Sequence, residues 1–310
     1  MGEGLFRRHE IGQGCTREWR ECLQAGYPAV QGAPAGGIQT AGRQKKGRSD
    51  MEHIYPAFER GRILKKELLW ALRDYSYSAL QLQYREYPDG ILSGCSIRTE
   101  GSGVLWIGQG IIKCQGFIFL ITGEEQVMYA PTDRYTSLKF RVEAKEELAD
   151  YTRYTTDFVL DKSLERQPNE IEICRFKLKE GARLRTDYKD FFDIQTEFDT
   201  VNLADATWSA AGGNTLSKEV TDCFARKVLE CGSAQDSDAQ FAYLLLQGKE
   251  AVRREVLEDY ITRKTGRAAG HRSQQELFHA LEAALDGIRQ GPDMRRPERR
   301  GLEQRMIVLD

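Results

Sequence analysis

Histidine is scarce in this chain. There are four in 310 residues: His9, His53, His271 and His279. A Cys/His or Ser/His/Asp nucleophile system needs a histidine held beside its nucleophile, and none of the four falls in the most strongly patterned part of the sequence. His271 and His279 stand eight residues apart with no repeating carboxylate–histidine pattern, which does not match a metal site; His279 reads as a surface residue. Cysteine is present but unpatterned. Seven are scattered (Cys15, Cys22, Cys95, Cys114, Cys174, Cys223, Cys231) with no Cys-x-x-Cys pair, which argues against a disulfide framework and a zinc site. Excess charge is also missing. The formal net charge of −2 predicts no general attraction to nucleic acid or membrane. No run approaches the ~20 apolar residues of a membrane span. Arg7-Arg8 is followed by no apolar core of a signal peptide. No G-x-x-x-x-G-K-[ST] loop exists, which argues against a nucleotide-driven motor.

What is present is enough apolar sequence, 40%, to pack a core, over a length that suits about two domains. Cys95, Cys114 and Cys174 fall inside predicted strands, where a buried thiol acts as a small hydrophobe. Reduced cysteines and synthesis in a cytoplasm are expected.

The stretch from Tyr87 to Thr122 organises the rest: short apolar runs cut by glycine. Pro88-Asp89-Gly90 is a turn signal, in which proline presets φ, aspartate bonds its own backbone and glycine accepts positive φ. Gly94 follows. Glu100-Gly101-Ser102-Gly103 predicts a turn joining Cys95–Thr99 to Val104–Gly108 as a hairpin. Gly108, Gly110 and Gly116 punctuate two more runs, Ile111–Cys114 and Phe117–Thr122, β-branched or aromatic and too short for helices. The expectation is a compact antiparallel β-unit.

The order Asp-Gly-Ile-Leu-Ser-Gly, strand, Gly-Ser-Gly hairpin, strand ending Gly108-Gln109-Gly110, apolar strand, Gly116 resembles the β-module of tail, baseplate and fibre-attachment proteins of tailed phages and phage-like particles. Gln109 stands where proline is usual there. The resemblance continues in Asn169–Tyr188 and covers roughly residues 57–205. It implies a structural virion part with no chemistry attached and no cofactor. Its partners would be other tail or baseplate proteins in a homo- or hetero-oligomer. It would be assembled in a bacterial cytoplasm and end in a virion or phage-like particle.

Residues 1–50 differ in composition, rich in Gly, Gln, Arg and Ala. Two readings stand. One is a disordered leader. The other, preferred, is that translation begins natively at Met51, because Lys45-Lys46-Gly47-Arg48 back-translates to an A-rich, ribosome-binding-like run. Ala57–Tyr84 carries a helical period: Leu64, Leu68, Leu72, Tyr75, Ala79 and Leu82 recur every three or four residues. At ~28 residues it spans about 42 Å. It can pack on its own β-unit, on a copy of itself or on a neighbouring subunit, and Leu64, Leu68 and Leu72 are its candidate interface.

Downstream, Gln126–Ala130 is a short strand. Ser137–Lys145 alternates, Leu138, Phe140 and Val142 against Lys139, Arg141 and Glu143, which predicts a half-buried strand with Lys139 outward. Thr152–Leu160 is its expected partner. In Glu170–Lys179 the apolar parity slips between Ile173 and Phe176, which predicts a bulge or a strand buried on both faces. Asp187–Thr200, acidic and aromatic, reads as an arm with a short helical turn. Ala210-Ala211-Gly212-Gly213-Asn214 is the best domain boundary. Helices are then expected over Thr215–Cys231 with Asn214 as N-cap, Asp238–Gln247, Glu250–Lys264, and from Ser273-x-x-Glu276, a capping box, to about Arg289. The fold class is therefore α+β: a long N-terminal helix (51–86), a Gly-rich antiparallel β-module (87–209), a small helical bundle (210–266), and a capped helix with a basic tail (267–310).

Three functions follow. The first is a non-enzymatic structural and assembly protein, with no catalytic, cofactor or metal residue. The second is a carbohydrate- or cell-surface-binding module, which would need an exposed aromatic row; Trp106, if outward, could belong to such a sugar-binding face or to a subunit interface. The third is a hydrolase using carboxylates. Asp187, Asp190, Asp193, Glu197 and Asp199 form the densest acidic cluster, read as a solvated loop or, less favoured, a cation or partner site. The arginines of 295–300 read as a solvated tail.

Overall fold

Helix α1 (Lys66–Gln83) leads into a β-rich part, and four helices follow it, so the architecture is mixed α+β. The computed structural model describes residues 60, 63–100, 103–149, 151–195, 199–266 and 272–291. The helix expected from Ala57 is therefore described only in part. Ile63–Lys65 are non-helical, and Lys65 is the extended N-cap (φ −93°, ψ 143°) without a capping side chain. Gly101 and Ser102 lie outside the described residues, as do residues 1–50 and Glu197. No helix among the described residues is long and apolar enough to cross a membrane.

Three sheets follow α1. The first holds β1 (Gly90–Gly94), β4 (Gly110–Cys114), β5 (Phe117–Ile121), β10 (Trp208–Ala210) and β11 (Gly213–Thr215), in the order β11-β10-β1-β4-β5. The second is β2 (Ile97–Thr99), β3 (Val104–Ile107) and β6 (Glu125–Met128), in the order β2-β3-β6. The third is β8 (Thr152–Asp161), β7 (Tyr135–Glu147) and β9 (Glu170–Lys177), with β7 central. Between the named strands pairing is antiparallel with one departure: β1 lies parallel to β10, Ile91 opposite Trp208. A parallel partner needs a long crossover, and the whole excursion between the two strands supplies it.

The parity slip in β9 is real. Leu138 pairs with Cys174 and Lys139 with Glu172, so Ile173 is the extra, bulged residue. The strand is also buried on both faces at its start. Inward-facing residues of the three sheets, such as Leu105, Ile107, Ile112, Leu138, Phe140 and Ile171, join one hydrophobic core.

The stretch read as the best domain boundary forms a hairpin. Ala210 pairs with Gly213, and β11 closes the edge of the five-stranded sheet. Asn214 sits in β11 and its amide donates to the Asp89 carbonyl (2.9 Å), so it is not a helix cap. The helix begins three residues later, where Ser217 accepts from the Val220 amide. The Asn214 side-chain amide is taken up by the carbonyls of Asp89 and Trp208, and the helix starts too late for its oxygen to reach the first-turn amides.

The helices are α2 (Lys218–Glu230), α3 (Asp236–Gln247), α4 (Arg254–Thr265) and α5 (Gln274–Gln290). α3 starts two residues before Asp238, because Gln235 and Asp238 form a reciprocal capping box. α4 starts at Arg254 rather than Glu250, whose carboxylate instead accepts from the Tyr87 hydroxyl (2.6 Å). Gly266 ends α4 in the left-handed region. The Ser273/Glu276 box opens α5 as expected. Phe224, Phe241, Tyr260 and Phe278 fill the space between the helices. The arm contributes a short 3-10 turn, Phe191–Gln195, whose Phe191 stacks on Phe278 at 4.7 Å.

Candidate assembly interface

Glycine and aspartate fix the shape of the β-module. At Gly94 (φ 68°) an added Cβ would collide with the Gln109 carbonyl, and at Gly110 with Cys95 Sγ, so the two strands cross where only glycine fits. Cys95, expected within a strand, lies between β1 and β2 with φ 55°. Gly90, Gly103 and Gly116 also have positive φ, and Gly108 lies against Ser96. Asp89 does not bond its own turn. Its carboxylate accepts from the amides of Gln115 (2.6 Å) and Gly116 (3.0 Å), the two positive-φ residues that close the β4–β5 hairpin. Such a tight hairpin leaves these amides in need of an acceptor.

Lys139 departs most from expectation. Placed on the outward face by alternation, it is 0% exposed. Its ammonium contacts Asp161 (3.0 Å), Glu170 (3.1 Å) and the Glu165 carbonyl (2.6 Å). Arg141 completes the cluster on Glu170 (2.6 Å). The segment between β8 and β9 folds back over that face of β7, a long-range event invisible to a period of two. Burial pushes the Glu170 carboxyl up, but the Gln167 amide, Arg141 and Lys139 together hold it below the ordinary carboxylate range. Asp161 is also held low, first by the Ser163 amide and then by Lys139.

Acidic residues of the arm are similarly consumed. Arg185 binds Asp193 in a bidentate pair (2.6 and 2.5 Å) and reaches Asp199 (3.3 Å). Asp190 takes Arg289 of α5 (2.8 and 2.9 Å). Asp187 offers Arg185 its backbone carbonyl (2.9 Å). Among the described residues no group of three or more His, Cys, Asp or Glu side chains could hold a metal ion. His279 lies exposed on α5 against Glu282 (2.6 Å). Burial pushes the thiols of Cys95 and Cys114 up, to about 12 and about 11, so neither is an activated nucleophile.

Trp106 lies on the outer face of the three-stranded sheet, half-buried. The cross-strand Arg98 guanidinium covers one face of its ring at 5.0 Å. Its Nε1 is buried with no partner among the described residues.

Among the described residues, α1 carries much exposed apolar surface. None of its eighteen residues is buried. Leu69 (45%), Trp70 (45%), Leu72 (47%), Tyr75 (54%) and Tyr77 (57%) are all about half exposed, as is Leu64 just before the helix. Leu68 is half-buried. Leu69, Trp70 and Tyr77 were not singled out from sequence because they fall off the three–four stripe. Tyr84, directly after the helix, is buried and anchors its end.

No family model matches the chain, and no curated protein matches it. Solved structures give distant likenesses. A crystal structure of TssK aligns at TM-score 0.34 and 9% identity, over 77% of this chain and 72% of that one. A chain of the TssK-TssF-TssG baseplate subcomplex of the type VI secretion system aligns at TM-score 0.35 and 9% identity, over 77% and 100%. A chain of the type VI secretion baseplate complex aligns at TM-score 0.32 and 10% identity, over 76% and 70%. TM-scores this low do not establish a shared fold.

Proposed function

We propose that this chain is a non-enzymatic structural and assembly component of a phage-like tail particle, near the baseplate or the fibre attachment point. The observation that carries an assembly role is α1, an eighteen-residue helix with no buried residue and five large apolar side chains about half exposed. Most helical stability in proteins comes from packing an apolar face, and an apolar surface of this kind marks an interaction site. The tail-particle part comes from the Asp89–Gly116 pattern and its resemblance to tail and baseplate β-modules. The cross-braced turn at Asp89 and the glycine contact at Gly94 and Gly110 suit a rigid scaffold that presents α1 to neighbouring subunits, which would be other baseplate or tail proteins. Asp190, Asp193 and Asp199 of the arm are held by arginine, and Asp161 and Glu170 by Lys139 and Arg141, which leaves them little suited to serve a hydrolase.

Tail particles induced from the source organism, purified by sedimentation and analysed by mass spectrometry, are expected to contain the polypeptide at a stoichiometric level. Intact particles that lack it would sink the assignment.

A further inference from the structure

We infer that the outer edge of β8 pairs with β8 of a second copy of this chain, antiparallel about a two-fold axis at Thr155. β8 is an outer strand of its sheet. Thr156 lies opposite Val142 of β7. The Val142 amide and carbonyl both turn the other way, to Asn169 (3.0 and 2.8 Å). Opposed residues of an antiparallel pair exchange both bonds or neither, so Thr156 points its own amide and carbonyl out of the sheet. Phe158, two residues on, does the same, and its amide donates to the carboxylate of its own neighbour, Asp157 (2.8 Å). By the same alternation Thr152 and Tyr154 belong to this outward row. Among the described residues no strand pairs with that row. Thr152, Arg153, Thr155, Thr156 and Asp157 are all exposed. A long exposed edge is a template for another strand.

The charges of β8 select the occupant and the register. Arg153 and Asp157 stand symmetrically about Thr155. With Thr155 opposite Thr155 of a second copy, each Arg153 meets an Asp157, once on either side of the axis, and Tyr154 opposes Thr156 as a hydrogen-bonded pair. An axis at Tyr154 would set Arg153 against Thr155, and an axis at Thr156 would set it against Val159. An axis at Asp157 would set the two aspartates against each other. Within its own chain the Arg153 guanidinium is about half exposed, with the Tyr151 hydroxyl at 2.8 Å and Glu146 at 3.8 Å, and a guanidinium has donors for a further carboxylate. The strand that fits this edge must carry an acid opposite Arg153 and a base opposite Asp157, four residues apart. That is β8 itself, read in the opposite direction.

This pairing goes beyond the assembly role proposed above, and its test uses neither particles nor α1. The mass of the full chain is measured by light scattering coupled to size exclusion, over a range of concentrations. The native chain is expected to reach twice its 35.3 kDa. Thr156→Pro removes an outward amide and no bond to β7, and is expected to hold the chain at a single mass. Arg153→Asp and Asp157→Arg each set like charges across the axis and are expected to do the same. The two combined in one chain restore the complementarity, and the double mass is expected to return; a mixture of the two single variants is expected to pair as well. Near-ultraviolet circular dichroism should be unchanged throughout, since all three positions are exposed. A native chain of single mass at every concentration, a double mass that survives Thr156→Pro, or a combined variant that stays single overturns the pairing. A chain of single mass still found in tail particles removes only the pairing. A paired chain absent from particles removes only the tail assignment.

Discussion

Lys139 carries a charge with no exposed surface, between Asp161 and a Glu170 whose side chain is almost as deeply buried. Removing one member of a buried ion cluster leaves the others uncompensated, at about 3–5 kcal/mol. Lys139→Met is therefore expected to lower the unfolding free energy by roughly that amount in urea titrations, although methionine fills nearly the same volume. A change under about 1 kcal/mol would mean that water reaches the cluster. The same carboxylates set an acid limit. Both are held below their usual range in the folded chain. They contribute stability above their unfolded values, near pH 4, which is lost as pH falls through the folded values. The urea midpoint should fall below about pH 4, and more steeply in the native chain than in Lys139→Met, where much of the stabilisation is already absent.

At the scale of the element, the β4–β5 hairpin depends on a residue outside it. Gln115 and Gly116 both take positive φ, a costly conformation for glutamine, and their amides are held by Asp89. Hydrogen bonds to a charged acceptor are worth about 1.5–3 kcal/mol each, with solvent reducing the sum at a partly exposed site. Asp89→Ala is expected to cost about 2 kcal/mol by thermal or urea unfolding, while Gln115→Gly should recover about 1 kcal/mol by relieving the backbone. If Asp89→Ala is neutral, the turn is self-sufficient and the aspartate only decorates it.

Across the whole molecule, helices and sheets share one core. Phe191 of the arm stacks on Phe278 and packs edge-on to Phe224. Gln274 at the start of α5 donates to the carbonyls of Ala206 and Thr215, tying the helix to the five-stranded sheet. Far- and near-ultraviolet signals are accordingly expected to change together in urea, as one cooperative transition. Two resolved transitions would show that the helical part folds by itself and that these contacts contribute little coupling.

Local spacing alone determined much of this protein. Strands followed from β-branched runs between glycines, the α5 start from Ser273 and Glu276, and the irregularity of β9 from a slip in parity. These signals act within a few residues, where backbone geometry and side-chain direction suffice. Only the tertiary structure decided that Lys139 turns inward under the β8–β9 connection, that Ala210–Asn214 forms a hairpin at the edge of the five-stranded sheet, that β10 returns parallel to β1, and that Asp89 braces a turn 26 residues away. Each of these depends on which distant segment covers a given face. A period of two or 3.6 says which side of a strand or helix is uniform, not what will lie against it.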